Sequence, residues 1–188
     1  MYEPKNFEKL LGLKGFSDVL LRNHFALYEG YVSNTNKLLE ILKTIEIGTS
    51  EWSEVKRRLG WEWNGMRLHE LYFGNMTKES FFDKKSKLAK KINEDFGSFE
   101  LWQKDFQGTG AIRGIGWVIL AHDVETGRLF NVWVNEHDTG HLVGTRPILV
   151  MDVFEHAFMI DYGIKRAGYI KVFWNVIDWK GCDSRFQI

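Results

Sequence analysis

Ile148-Leu-Val-Met-Asp152-Val-Phe-Glu-His156-Ala-Phe-Met-Ile-Asp-Tyr162 is the stretch on which the fold turns. An apolar run with the character of a buried strand ends at a carboxylate. An imidazole follows four residues later, in what reads as the first turn of a helix. A carboxylate buried beside a strand is costly unless a cation pairs with it. Aspartate and histidine together are ligands for a borderline metal such as iron, manganese or zinc.

Further ligands have to come from elsewhere in the chain. Its six histidines are 24, 69, 122, 137, 141 and 156. Residues 7–44 read as helical, with Ser17 as a cap and apolar positions at spacings of three and four through Val19, Leu20, Leu21, Phe25, Tyr28, Tyr31 and Val32. The polar patch Glu46 to Ser53 interrupts that pattern, and a second helix carries Trp61, Met66, Leu68, His69, Tyr72 and Phe73. Two long helices with a short connection form an antiparallel hairpin. A lone histidine on such a face is more often a hydrogen-bonded core residue. Two of them on facing helices, added to Asp152 and His156, make a plausible set of four ligands.

Beyond the hairpin, Asp83 to Glu94 reads as a lysine-rich amphipathic helix ended by Gly97, and Ser98 caps a fourth helix through Trp102 and Phe106. The period then changes. Gly116 to Ala121, Arg128 to Val134 and Ile148 to Asp152 read as strands, the first two joined by a turn at Glu125-Thr-Gly127. Residues 154–162 and 165–177 return to helix, split near Gly163. The fold class expected is α+β: an antiparallel helical hairpin lobe, residues 1–86, and a lobe of residues 87–188 with a three-stranded antiparallel sheet flanked by helices.

Composition narrows the function classes. The formal net charge is zero, which argues against nucleic acid or an anionic membrane as main partner. No apolar run reaches the length of a membrane span, and the N-terminus lacks a signal core. Cys182, read as part of a polar tail, has no internal disulfide partner, which fits a reducing, cytoplasmic setting. Eight Trp and fourteen Phe imply large buried aromatic clusters or an aromatic-lined pocket. Gly108-Thr-Gly-Ala-Ile-Arg-Gly114 precedes a strand instead of following one, the wrong context for a nucleotide loop.

The chain resembles the iron/manganese superoxide dismutases, and the resemblance covers most of its length. Asp152-Val-Phe-Glu-His156-Ala-Phe resembles their Asp-x-Trp-Glu-His-Ala-Tyr signature. Asn64-Gly-Met-Arg-Leu-His69-Glu-Leu-Tyr-Phe-Gly-Asn-Met resembles the second-helix ligand motif of archaeal members. His24, followed by Tyr31-Val-Ser-Asn-Thr-Asn36, resembles the first-helix motif, and Phe96-Gly-Ser-Phe and Gly114-Ile-Gly-Trp117 match two further segments. The resemblance implies His24, His69, Asp152 and His156 as ligands of one iron or manganese ion, superoxide as substrate, an antioxidant role, and a homodimer or homotetramer. It implies that Trp117 and Phe154 line the metal pocket, that Tyr31 gates it, and that Glu155 reaches the ligand histidine of another subunit. Relatives place a glutamine donor to the metal's solvent either four residues before the second-helix ligand, here Gly65, or in the loop before the third strand. In that loop His137 falls where archaeal members carry histidine, whereas an ungapped comparison lands on Glu136. A carboxylate has no proton to donate at neutral pH, so His137 is the expected donor. The histidine-type outer shell leans to iron, with manganese left open.

Several departures matter. Phe154 replaces a usual Trp. Leu27 and Tyr28 occupy the turn where many relatives carry a relay histidine, and Met159 stands where its tyrosine partner would be. One residue fewer separates His24 from Tyr31 than in most members, which suggests a local helix irregularity. His122 and His141 have no evident partners. These departures leave room for a second reading, a non-catalytic member of the fold whose metal staples two lobes or serves partner binding. A third, a zinc hydrolase, lacks an evident general base.

Overall fold

The computed structural model describes residues 1–186. A 3-10 turn, Glu8–Leu10, precedes two long antiparallel helices, α1 (Asp18–Ile41) and α2 (Ser50–Gly74). Then come α3 (Lys87–Phe96), α4 (Phe99–Gly110), β1 (Trp117–Asp123), β2 (Leu129–Val134) and β3 (Thr145–Asp152). A second 3-10 turn, Glu155–Ala157, leads to α5 (Met159–Tyr162), α6 (Arg166–Trp174) and α7 (Trp179–Phe186). The result is helices in the N-terminal region and a three-stranded antiparallel sheet with helices in the C-terminal part.

Local chemistry sets the helix starts. Ser17, Thr49, Ser86 and Ser98 each accept the main-chain N–H three residues on, satisfying a donor the helix cannot pair internally. Gly97 ends α3 with φ of 84°, and Gly127, at 74°, turns β1 into β2.

Some expected boundaries move. Residues 7–17 are not continuous helix, because Gly12 and Gly15 sit at positive φ and break the chain before Ser17. Half of the polar patch Glu46 to Ser53 is the first turn of α2, which Thr49 starts. The third helix begins at Lys87, not Asp83, because Ser86 supplies its cap. Residues 154–162 split into the 3-10 turn and α5. The irregularity expected in the first helix is absent: α1 runs unbroken, and the seven-residue step from His24 to Tyr31 is two helical turns on one face.

Cys182 is the clearest correction. It lies fully buried in α7, with its thiol pushed up to about 11 by burial despite the nearby Arg185. Arg185 donates to the Ile148 carbonyl at 2.8 Å and to Asn75 Oδ1. Asn75 in turn donates to the Val150 carbonyl at 2.8 Å. The polar residues of this segment thus pin α7 and the end of α2 to β3.

The sheet order is β2-β1-β3. Trp117 at the start of β1 pairs with Val134, the last residue of β2, and with Asp152, the last of β3. That row puts Trp117, the loop after Val134 and the Asp152 carboxylate at one end of the sheet. The α1–α2 hairpin packs over the same end through α2 and β3. Away from it, Trp102, Trp174, Trp179, Phe99 and Phe106 form an aromatic cluster with centroid spacings of 5.2–6.1 Å.

Gly116 makes the close pairing at this row possible. Its φ is +128°, and a Cβ there would lie 2.0 Å from the Val134 carbonyl oxygen. Gly116→Ala is expected to destabilise the fold by at least about 2 kcal/mol, measured by urea unfolding. A change within about 0.5 kcal/mol, typical of an unconstrained surface site, would contradict this account of the row.

Candidate metal centre

Four side chains converge where the hairpin meets the sheet end. His24 faces inward from α1 and His69 from α2, their rings 5.0 Å apart and nearly perpendicular. Asp152 ends β3, and His156 lies on the 3-10 turn that follows. Their Nε2 atoms stand 3.3, 3.6 and 3.1 Å from Asp152 Oδ2 for His24, His69 and His156. One ligand atom from each residue lies within 4.8 Å of all the others, so the group could hold a metal ion.

The surroundings aim these atoms. His69 Nδ1 donates to the Gly65 carbonyl at 2.6 Å, which leaves its Nε2 lone pair facing the cluster. Asp152 Oδ1 accepts the Phe154 N–H at 2.8 Å, which leaves Oδ2 for the histidines. Tyr169 Oη donates to the Asp152 main-chain carbonyl at 2.6 Å and lies 3.1 Å from Tyr72 Oη. Phe73 packs edge-on to His24, with centroids 4.9 Å apart.

The donor set fits a cation. His24, His69 and Asp152 are buried, while the His156 side chain keeps 29% exposure. His24 Nε2 and His69 Nε2 are buried with no hydrogen-bond partner, a costly state for polar atoms that a metal ion would relieve. Burial holds His69 well below, and His24 below, the ordinary imidazole range, so both are neutral donors. Burial opposes the charge on Asp152, yet His156 and His24 together hold its carboxyl well below the usual range. One carboxylate with neutral imidazoles suits a borderline metal such as iron, manganese or zinc.

Beside the cluster lies a hydrogen-bonded pair. His137 is fully buried on the loop after β2, where Glu136 adopts a left-handed φ of 57°. The Trp117 indole N–H, which can only donate, reaches His137 Nδ1 at 3.0 Å. His137 Nε2 therefore carries the proton in the neutral ring, and it meets Tyr31 Oη at 2.8 Å. Burial pushes the imidazole down to about 4. Burial, and then the charge of Asp152, push the Tyr31 phenol up. The Tyr31 ring stacks on His69 at 5.0 Å. Trp117 sits edge-on to His69 at 4.9 Å, and Phe154 stacks on His156 at 5.2 Å.

Sequence reasoning treats Gly65 only as a missing donor. A Cβ at Gly65 would lie 2.6 Å from the Tyr31 ring, so the glycine is the floor on which Tyr31 rests. Trp61, 4.5 Å from His137 and 5.5 Å from Tyr31, escaped notice because its contacts are distant in sequence. So did Tyr169, which carries no motif of its own. His141, expected to lack a partner, holds the His137 carbonyl at 2.8 Å. His122 is at the end of β1, against Phe186. Glu155 is exposed, and its carboxylate has no partner among the described residues.

Comparison with known proteins agrees with this geometry. A model of the C-terminal domain of iron/manganese superoxide dismutases matches residues 84–185. A manganese superoxide dismutase of Haloferax volcanii is 35% identical over 173 residues, 90% of this chain and 85% of its own length. An iron superoxide dismutase of Aquifex pyrophilus is 34% identical over 194 aligned positions, 98% of this chain and 91% of its own length. Another iron enzyme, from Saccharolobus solfataricus, is 33% identical over 182 residues, 93% of this chain and 85% of its own.

Two outcomes are expected. Elemental analysis should find one ion per chain, and Asp152→Ala should weaken its binding by at least about a hundredfold, the upper end of what even outer-shell partners cost. Full occupancy in that variant would contradict the ligand set. His137 should stay neutral in the folded protein down to about pH 4. Its folded value lies below the unfolded one of about 6.5, so its contribution to stability is complete above that pH and is lost as pH falls toward 4. The stability of wild type relative to His137→Gln should therefore shrink across that window. A difference that is flat with pH, or an NMR titration midpoint near the unfolded value, would contradict the burial argument.

Proposed function

The chain belongs to the iron/manganese superoxide dismutase family, and we propose that it converts superoxide to dioxygen and hydrogen peroxide at the His24, His69, Asp152 and His156 cluster. The observation that carries this reading is the convergence of three imidazole nitrogens on one carboxylate oxygen, two of those nitrogens being buried and otherwise unpaired. When bound, an iron or manganese ion supplies reversible one-electron exchange, taking an electron from one superoxide and returning it to a second. Curated relatives are named for both metals, and iron is the first to test, given the imidazole at position 137.

The protein's own work is to bind the ion and manage protons. Peroxide leaves with two protons, so a donor is needed beside the cluster. Sequence alone gives His137 as a direct donor. With His137 Nε2–H directed at Tyr31 Oη, the two act in series. Trp117 fixes the His137 tautomer and the His137 Nε2–H hydrogen-bonds Tyr31 Oη, so the Tyr31 hydroxyl proton is the one left to point toward substrate, with solvent replacing it after each transfer. This series runs through β1, the β2–β3 loop and α1, and takes the place of the relay that Leu27 and Tyr28 cannot form. Tyr28 is engaged elsewhere: its hydroxyl accepts the Lys5 N–H at 2.9 Å and donates to Glu70 at 3.2 Å.

The partition into residues 1–86 and 87–188 belongs to the same proposal, each lobe giving two ligands so that the ion ties them together. So does a homodimer, open to further pairing as a tetramer. His156 is a ligand left partly exposed, and beside it lie the exposed Glu155, Met159, Ile160 and Ile164. A second copy would cover these apolar residues and bring Glu155 to His156 of the partner subunit. Among the described residues no helix is long and apolar enough to cross a membrane. A cytoplasmic setting and an antioxidant role complete the proposal, the free thiol of Cys182 fitting a reducing compartment.

Iron- or manganese-loaded protein should dismute superoxide. His137→Ala should retain its metal and lose about a hundredfold in rate, as for loss of the group that orients a proton donor. Full metal content without turnover in the wild type would instead favour a structural role for the ion. Glu155→Ala should shift light scattering toward the monomer and weaken metal retention about tenfold. A fully active wild-type monomer at micromolar concentration would remove the dimer from the account.

A further inference from the structure

The chain's zero net charge conceals a local asymmetry at the corner leading into α3. Lys84, Lys85, Lys87 and Lys90 are all exposed and have no ion-pair partner among the described residues. Asp83 is the one acid between residues 83 and 90, and Asp183 of α7 joins it at the start of α3. Three of the lysines are badly placed for the helix itself. Lys87 lies in the first turn of α3, which holds no acidic residue, and Lys84 and Lys85 immediately precede its cap. Cations at the positive end of a helix dipole cost stability, and the Asp183 carboxylate of α7, which accepts the Leu88 N–H at 2.9 Å, offsets only part of the charge of three lysines.

An exposed aromatic residue immediately precedes this run of lysines. Phe82 is taken into the core, 4.2 Å from Phe99 and 4.8 Å from Trp179. Its neighbour Phe81 is 76% exposed. Between Phe81 and α7 lies a cavity of about 250 Å³, walled by Phe82, Leu88 and Trp179 and by the acids Asp83 and Asp183. Exposed lysine α7 residue Lys180 stands at the same cavity.

We propose that this corner docks on an anionic phospholipid membrane, with the lysines against headgroups and Phe81 inserted at the acyl boundary. Four to eight clustered lysines next to an apolar anchor are the physical signature of such docking. Charge complementarity selects an anionic surface, and Phe81 selects one with an apolar layer beneath. A nucleic-acid strand fits less well, because it would lie in a groove and the groove here carries the carboxylates of Asp83 and Asp183. Docking is peripheral and independent of the dismutase reading, since none of these residues belongs to the metal cluster.

The test is co-sedimentation of the metal-loaded protein with phosphatidylcholine vesicles, with and without phosphatidylglycerol, at rising salt. Binding is expected only with phosphatidylglycerol and should weaken as salt rises. The combined change Lys84→Gln, Lys85→Gln and Lys87→Gln should weaken partition about a hundredfold. Phe81→Ser should weaken it while leaving the salt dependence in place. Unchanged metal content and dismutation in each variant would show that the fold is intact. Equal binding to both vesicle types, no binding at low salt, or wild-type partition by the triple variant would overturn the proposal. Tighter binding to a single-stranded oligonucleotide than to vesicles would overturn the lipid assignment in favour of nucleic acid.

Discussion

The buried carboxylate of Asp152 is the constraint on which the rest of the structure depends. It sits at the end of a strand whose last five residues are buried, with three imidazole nitrogens within 3.6 Å of one oxygen. Left alone, such a carboxylate is expensive in a low-dielectric interior. Its other oxygen and its own carbonyl are already taken by the Phe154 N–H and the Tyr169 hydroxyl. The fold therefore presents one oxygen for which a cation is the fitting partner. Each neighbouring element has a role toward that point: the hairpin brings two nitrogens, the turn after β3 brings the third, and Trp117 at the start of β1 walls the site.

The same end of the sheet explains how an imidazole distant in sequence joins the site. Trp117, Val134 and Asp152 lie in one row, so the loop leaving Val134 starts beside the His24, His69, Asp152 and His156 cluster. Glu136 takes a left-handed conformation that costs about 1 kcal/mol or more for a non-glycine residue. His137 follows it directly, held by Trp117 on one nitrogen and by Tyr31 on the other. Gly65 completes the arrangement by leaving room for the Tyr31 ring. Position 65 thus contributes space for Tyr31 where it contributes no side-chain donor.

Much of this was legible in the sequence because it rests on local signals. The strand ending at Asp152, the caps Ser17 and Ser98, the turn at Gly127 and the inward histidines on α1 and α2 are each written within a few residues. What stayed hidden depends on contacts between distant segments. α7 was invisible because Asp183, Ser184 and Arg185 read as a polar tail, whereas Arg185 spends its donors on Ile148 and Asn75. The Tyr31–His137 contact joins residues 106 apart in sequence, so periodicity carries no trace of it. The expected kink in α1 failed for a geometric reason: seven residues already restore the same helical face.

Anomalous X-ray diffraction at the iron and manganese absorption edges, on crystals of protein purified without added chelator, tests the central claim most directly. The account predicts one anomalous peak per chain, at about 2.0–2.2 Å from the Nε2 atoms of His24, His69 and His156 and from Oδ2 of Asp152. A peak that leaves out two or more of those four atoms, or lies elsewhere in the chain, would contradict it.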